Sequence, residues 1–211
     1  MRLSATRFND FLSGAVRQRF TWRRRSACPC IDPSTSAPRY DCPLCRGKGH
    51  LWADEVEGFA GQSSQSPAKA IATFGSWERG DCTLTLPSNS PIYDAGQYDR
   101  IRSLDSVGSF SEVVRPGLND ALLGKVVCLH RVFWLNDGGT AVVEGPVPDL
   151  ADDGTMTWPN LDGPPEGRQY TVEGERYDEW FVYMPLAADR NSGASGLPRK
   201  LAARRLDILL R

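Results

Sequence analysis

Four cysteines stand close together near the start of the chain. They read Cys28-Pro29-Cys30 and, after an eleven-residue spacer, Cys42-Pro43-Leu44-Cys45. Thiolates are soft ligands, and two closely spaced pairs facing each other across a loop can occupy the four corners of a tetrahedral zinc ion. The second pair continues as Cys45-Arg46-Gly47-Lys48-Gly49. Glycine there permits the positive φ angles with which a chain turns its amides toward sulfur. The first pair has only Pro29 between its cysteines, so its turn is tighter than that of a C-x-x-C. His50, five residues past Cys45, is a further donor that could replace a thiolate. Four thiolates leave no open position for water, and no glutamate stands in a general-base relation to them. Such a site holds a fold together rather than catalysing a reaction. Two disulfides, or four unligated thiols, are the alternatives that the spacing leaves open. The N-terminal stretch has no continuous apolar segment followed by a small-residue cleavage site, so no secretory signal is expected. A cytosolic origin keeps thiols reduced, which favours metal over disulfide.

Little other chemistry is visible. Cys82 and Cys128 fall inside expected strands and read as core residues. His130, in the run Val126–Leu135, is expected to be satisfied by local hydrogen bonds. Asp149, Asp152 and Asp153 lack the ligand rhythm of a calcium loop and read as turn residues. There is no nucleophile elbow, phosphate-binding loop or dinucleotide fingerprint, and nothing marks an enzyme.

The elements that must position the cysteines begin with Phe8, Phe11, Leu12, Val16 and Phe20. Their spacings of three and four predict an amphipathic helix from Ser4 to about Phe20, capped by Ser4 or Thr6. Leu51–Ala60 follows the cysteines, and Gly61–Pro67 reads as a linker. Beyond it come short strands punctuated by turns: Ala70–Phe74, Cys82–Leu86, Tyr98–Leu104, Phe110–Val114, Val126–Leu135, Thr140–Val143, Thr155–Trp158, Tyr170–Glu173 and Trp180–Met184. Asn136-Asp137-Gly138-Gly139 is a strong hairpin signal. Arg190–Pro198 reads as a loop, and Leu201–Leu210 as a last strand or short helix. The whole predicts a mainly β protein, an antiparallel barrel or sandwich, with an N-terminal helix and a small zinc-knuckle-like module. The expected segments are 1–60 (helix and knuckle), 68–189 (β body) and 190–211 (basic C-terminal arm). No apolar run is long enough to span a membrane.

Charge is unevenly placed. The chain carries a net charge of −1, yet residues 1–25 hold seven arginines against Asp10, and 190–211 are also basic, whereas 51–189 hold 22 acids and nine bases. The basic ends suit docking on an acidic protein or nucleic acid, or folding back on the chain's own acidic body.

The segment Cys28-Pro-Cys30, a proline-containing loop, Cys42-Pro-Leu-Cys45-Arg-Gly47-Lys-Gly49 and then Trp52 resembles a cysteine-knuckle segment in virion structural proteins of tailed bacteriophages, of the neck, head-closure or head–tail joining type. The resemblance is carried by residues 26–52; the β-rich body, with His130–Trp134 and the following hairpin, looks like the same kind of virion protein. It implies a ring-forming head–tail connector subunit, made in the bacterial host cytoplasm and resident in the virion. Its partners would be further copies of itself and portal, adaptor or tail-terminator proteins. DNA would pass through the acidic lumen without specific binding. The C-x-x-C-x-G-x-G half is also similar to the zinc modules of DnaJ-type chaperones, but those use paired repeats and this chain has one copy. The alternative function is a zinc-containing nucleic-acid-binding module, suggested by Arg23-Arg24-Arg25 beside the cysteines.

Overall fold

The structure, a computed structural model, describes residues 4–45, 47–63, 80–117, 122–151, 154–159, 162–186 and 196–206. The expected strand Ala70–Phe74 and the segments 64–67, 190–195 and 207–210 lie outside the described residues.

Ser4 caps the first element, α1 (Ala5–Ser13), by accepting the N–H of Arg7 at 3.4 Å, and Gly14 closes it with an N–H to the Asp10 carbonyl at 3.0 Å. The helix is thus shorter than its apolar spacing predicts. By Gln18 the chain has entered a strand, β1 (Gln18–Arg23), in which Phe20 is fully buried and Trp22 nearly so. The i, i+2 alternation of Phe20 and Trp22 wins over the i, i+4 coincidence of Val16 and Phe20, because strand pairing fixes which face looks inward. Ala5, Asn9 and Leu12 form the buried face of α1, while Phe8, Phe11 and Val16 are exposed.

After β1 come β2 (Arg25–Ala27), β3 (His50–Trp52), β4 (Val56–Ser63), β5 (Cys82–Leu86) and β6 (Arg100–Val114). These are followed by β7 (Val126–Leu135), β8 (Val142–Gly145), β9 (Asp149–Leu150), β10 (Met156–Thr157), β11 (Tyr170–Leu186) and β12 (Arg199–Arg205). Six strands close an antiparallel barrel in the order β12-β5-β4-β1-β6-β11, with β12 returning to pair β11. Closure removes the open edges that an antiparallel sheet otherwise presents. Cys82, Leu84 and Leu86 of the expected strand are all buried, in a core with Phe20, Ile101 and Leu201, and Thr83 between them is buried as well.

By its contacts the chain forms two compact units, residues 1–105 with 179–211, and residues 106–178. The expected segments 1–60, 68–189 and 190–211 cut across these. Residues 61–63, read as the start of a linker, extend β4 and pair with β5. Residues 199–205, read as part of a basic arm, are barrel strand β12, with Leu201, Ala202 and Ala203 buried. β6 and β11 are each one long strand where the sequence shows two short ones, and each supplies residues to both units. The second unit also contains β7 and β8, joined by the predicted hairpin. Asn136 anchors its turn, donating N–H to Ala141 O at 2.9 Å and accepting Thr140 N–H on its side-chain oxygen at 2.9 Å.

Part of the basic charge folds back on the chain. Arg19 pairs with Asp105 at 2.7 Å and Arg204 with Asp81 at 3.2 Å. Among the described residues no helix is long and apolar enough to cross a membrane.

Candidate metal centre

The cysteines sit on a two-stranded ribbon. β2 pairs antiparallel with β3, Ala27 opposite His50 and Arg25 opposite Trp52, so Cys28 leaves one strand just where Gly49 enters the other. Cys28 N–H donates to Gly49 O at 2.9 Å and closes the ribbon. The spacer is a compact loop. Ile31 bridges Pro38, and Asp32 Oδ1 accepts the N–H groups of Ser34 and Thr35 at 2.8 and 3.1 Å. This turn brings Cys42 and Cys45 over Cys28 and Cys30. Gly47 and Gly49 take φ values of +79° and +73°, as the C-x-x-C-x-G-x-G pattern requires.

The four sulfurs lie within 4.8 Å of one another. Cys28 Sγ is 3.8 Å from Cys42 Sγ, and Cys30 Sγ is 3.5 Å from Cys45 Sγ. Four sulfurs at about 2.3 Å from a tetrahedral ion are separated by about 3.8 Å, so the donor set fits a metal with little adjustment. None of the four cysteines is bonded to another. Cys28, Cys42 and Cys45 are buried, and Cys30 and Leu51 pack against them.

Backbone amides are aimed at every sulfur. The N–H groups of Cys45 and Leu44 point at Cys42, that of Gly49 at Cys45 (3.3 Å), that of Cys30 at Cys28 and that of Arg39 at Cys30. Amide donors favour the ionised form of the acceptor. Those of Cys45 and Leu44 bring the Cys42 thiol down to about 6. Burial, with the Cys28 and Cys45 thiols beside it, pushes Cys30 up to about 12. Four sulfurs packed this closely cannot all ionise alone. A dication in their midst would supply the missing positive charge.

His50 is not a member of this donor set. Its ring stands edge-on to Trp52 at 4.4 Å, and burial, with Arg25 nearby, lowers its pKa. The ribbon is held to the barrel on both strands. Asp99, buried where β6 begins, accepts the Arg25 N–H and the Trp22 indole N–H. Arg100 lies 4.7 Å from the Trp52 ring centre and pairs with the buried Glu179 at 2.7 Å.

The other sites singled out in the sequence are elsewhere. Cys82 is in the barrel core, as expected. Cys128 is not in a core; it is partly exposed on β7, beside His130 and Glu175. No protein-family model matches this sequence, and no curated protein matches it.

Proposed function

We propose that the chain is a structural, ring-forming subunit of a tailed-phage virion, of the head–tail joining type, with zinc as the ion of its cysteine cluster. The observation that carries an assembly role is the build of the knuckle. It is a closed four-sulfur cluster, tied to the barrel on both strands, that turns Tyr40 and Leu44 outward with 90% and 65% of their surface exposed. Large apolar side chains on a rigid, stapled tip are suited to docking on a neighbouring subunit. The resemblance of residues 26–52 to phage knuckle segments supplies the kind of particle. A site with four protein thiolates has no place for substrate, which favours building over catalysis.

Native mass spectrometry and sedimentation across a concentration series, alone and with portal and tail-terminator proteins, test this reading. Rings or specific complexes are expected. A chain that stays monomeric and binds none of these proteins contradicts it.

A second reading, a zinc-containing nucleic-acid-binding module, is favoured by Arg24 and Arg25. Both are exposed beside the ribbon, with guanidinium groups 5.1 Å from the Trp22 ring and 5.0 Å from the Tyr98 ring. Binding to duplex DNA that falls steeply with salt would favour it over the connector.

A further inference from the structure

A second group of metal-ligating side chains lies in the other unit, on β7 and β11. Cys128 Sγ is 3.7 Å from His130 Nε2 and 3.9 Å from Glu175 Oε2, and His130 Nε2 is 3.8 Å from Glu175 Oε1. Sulfur, nitrogen and oxygen ligands at about 2.0–2.3 Å from a tetrahedral ion stand about 3.4–3.6 Å apart. The three donors are therefore within a few tenths of an ångström of ligating distances. The carboxylate already turns one oxygen to the thiol and the other to the imidazole.

The pairing register brings them together. Arg131 opposes Glu173, but the next pairs are Leu129 with Gly174 and Cys128 with Glu175, so His130 is an extra residue in β7. Without that bulge Glu175 would oppose Leu129, whose side chain belongs to the core of this unit. With it, the glutamate stands opposite the cysteine on a solvent-facing surface. Bulges commonly re-aim side chains in this way. Gly174 makes the bulge feasible, because a Cβ there would lie 2.2 Å from the Cys128 carbonyl oxygen. The neighbouring charges are engaged with one another: Arg131 pairs with Glu144 at 3.0 Å and with Glu173 at 3.4 Å, which leaves Glu175 to face the thiol and the imidazole.

We propose that Cys128, His130 and Glu175 form a second, open metal site that takes zinc or a similar borderline dication, with water in the fourth position. The thiolate and imidazole select against magnesium and calcium, which prefer oxygen. Binding replaces the Cys128 thiol proton, which passes to solvent. The site is solvent-facing, with 54% of the His130 and 41% of the Glu175 side chain exposed. Its metal therefore exchanges readily, unlike an ion enclosed by four cysteines. This inference does not depend on the connector reading.

The test is zinc stoichiometry on the full chain, kept reduced, by native mass spectrometry and elemental analysis, followed by titration with cobalt(II) as a spectroscopic probe. The expected result is an exchangeable equivalent that is lost in H130A and C128S and bound at least tenfold more weakly by E175Q. Its cobalt form should show a single-thiolate charge-transfer band. His130 is exposed, so H130A reports on the site even where C128S perturbs the strand. A chain that binds no exchangeable zinc, or binds it unchanged in both H130A and C128S, overturns the proposal.

Discussion

The carboxylate of Asp99 accepts the backbone N–H of Arg25 at 2.7 Å and so joins the first ribbon strand to the barrel. Its other oxygen takes the Trp22 indole N–H and the Gly96 N–H, both at 2.8 Å, and the side chain is almost wholly buried. Removing it as Asp99→Ala leaves three donors short of a partner. A loss of roughly 3–5 kcal/mol is expected in chemical denaturation, together with faster release of metal from the cysteine cluster to a chelator.

Gly49→Ala should weaken the knuckle more than the barrel. The residue has φ +73°, and a Cβ would come within 3.1 Å of Pro38 Cβ. The left-handed conformation costs a non-glycine residue about 1–2 kcal/mol. Lower metal affinity with an unchanged barrel signal in circular dichroism is the expected outcome.

Asn9 carries the densest set of hydrogen bonds from the helix to the rest of its unit. Asn9 donates to Ser88 Oγ at 2.9 Å and to Gly196 O at 3.1 Å, and accepts the Ser88 N–H at 3.0 Å. Asn9→Ala is expected to cost about 1–3 kcal/mol and to free the first fourteen residues for proteolysis. Limited digestion compared with the unsubstituted chain checks this.

Arg19 holds Asp105 below its ordinary pKa of 3.8, through a side-chain hydrogen bond and its own backbone N–H. Because the folded value is depressed, the stabilisation is fully present above the ordinary value and is lost as the pH falls through the folded one. Asp105→Asn should therefore melt lower than the unsubstituted chain at neutral pH. The difference should shrink in the acid range, and a pH series of thermal melts will show it.

Tyr40→Ala and Leu44→Ser test the docking tip. Both residues project into solvent, so neither substitution should change stability by more than about 0.5 kcal/mol, and both should diminish assembly. Sedimentation of each variant at matched concentration gives the answer.

The parts of this fold that were legible in the sequence are those fixed by near neighbours. The strand Cys82–Leu86, the Asn136–Gly139 hairpin and the positive φ at Gly47 and Gly49 follow from alternation and turn chemistry within a few residues. The four cysteines could be grouped for the same reason. What was not legible depends on distant partners. Phe20 fits a helical period with Val16 until pairing with Ser103 and Gly58 draws it into a strand. β6 and β11 run on through Ser106–Gly108 and Gly174–Asp178, although these residues read locally as breaks, and β7 pairs β11 as far as Arg176. Cys128 reads as core because it falls inside an expected strand, where a cysteine is usually buried. Only the bulge at His130 and the fit of Gly174 place it opposite Glu175, and no short-range pattern announces either.

The central claim is that Cys28, Cys30, Cys42 and Cys45 together close around one metal ion. X-ray absorption at the zinc edge, combined with intact native mass, tests it most directly when done on the C128S/H130A variant, in which the second site is removed. The predicted result is one zinc per chain, with a first shell of four sulfurs at about 2.3 Å and a mass that accounts for four deprotonated thiols. A metal-free chain lighter by four hydrogens, as two disulfides would make it, or a zinc shell containing nitrogen or oxygen, would contradict it.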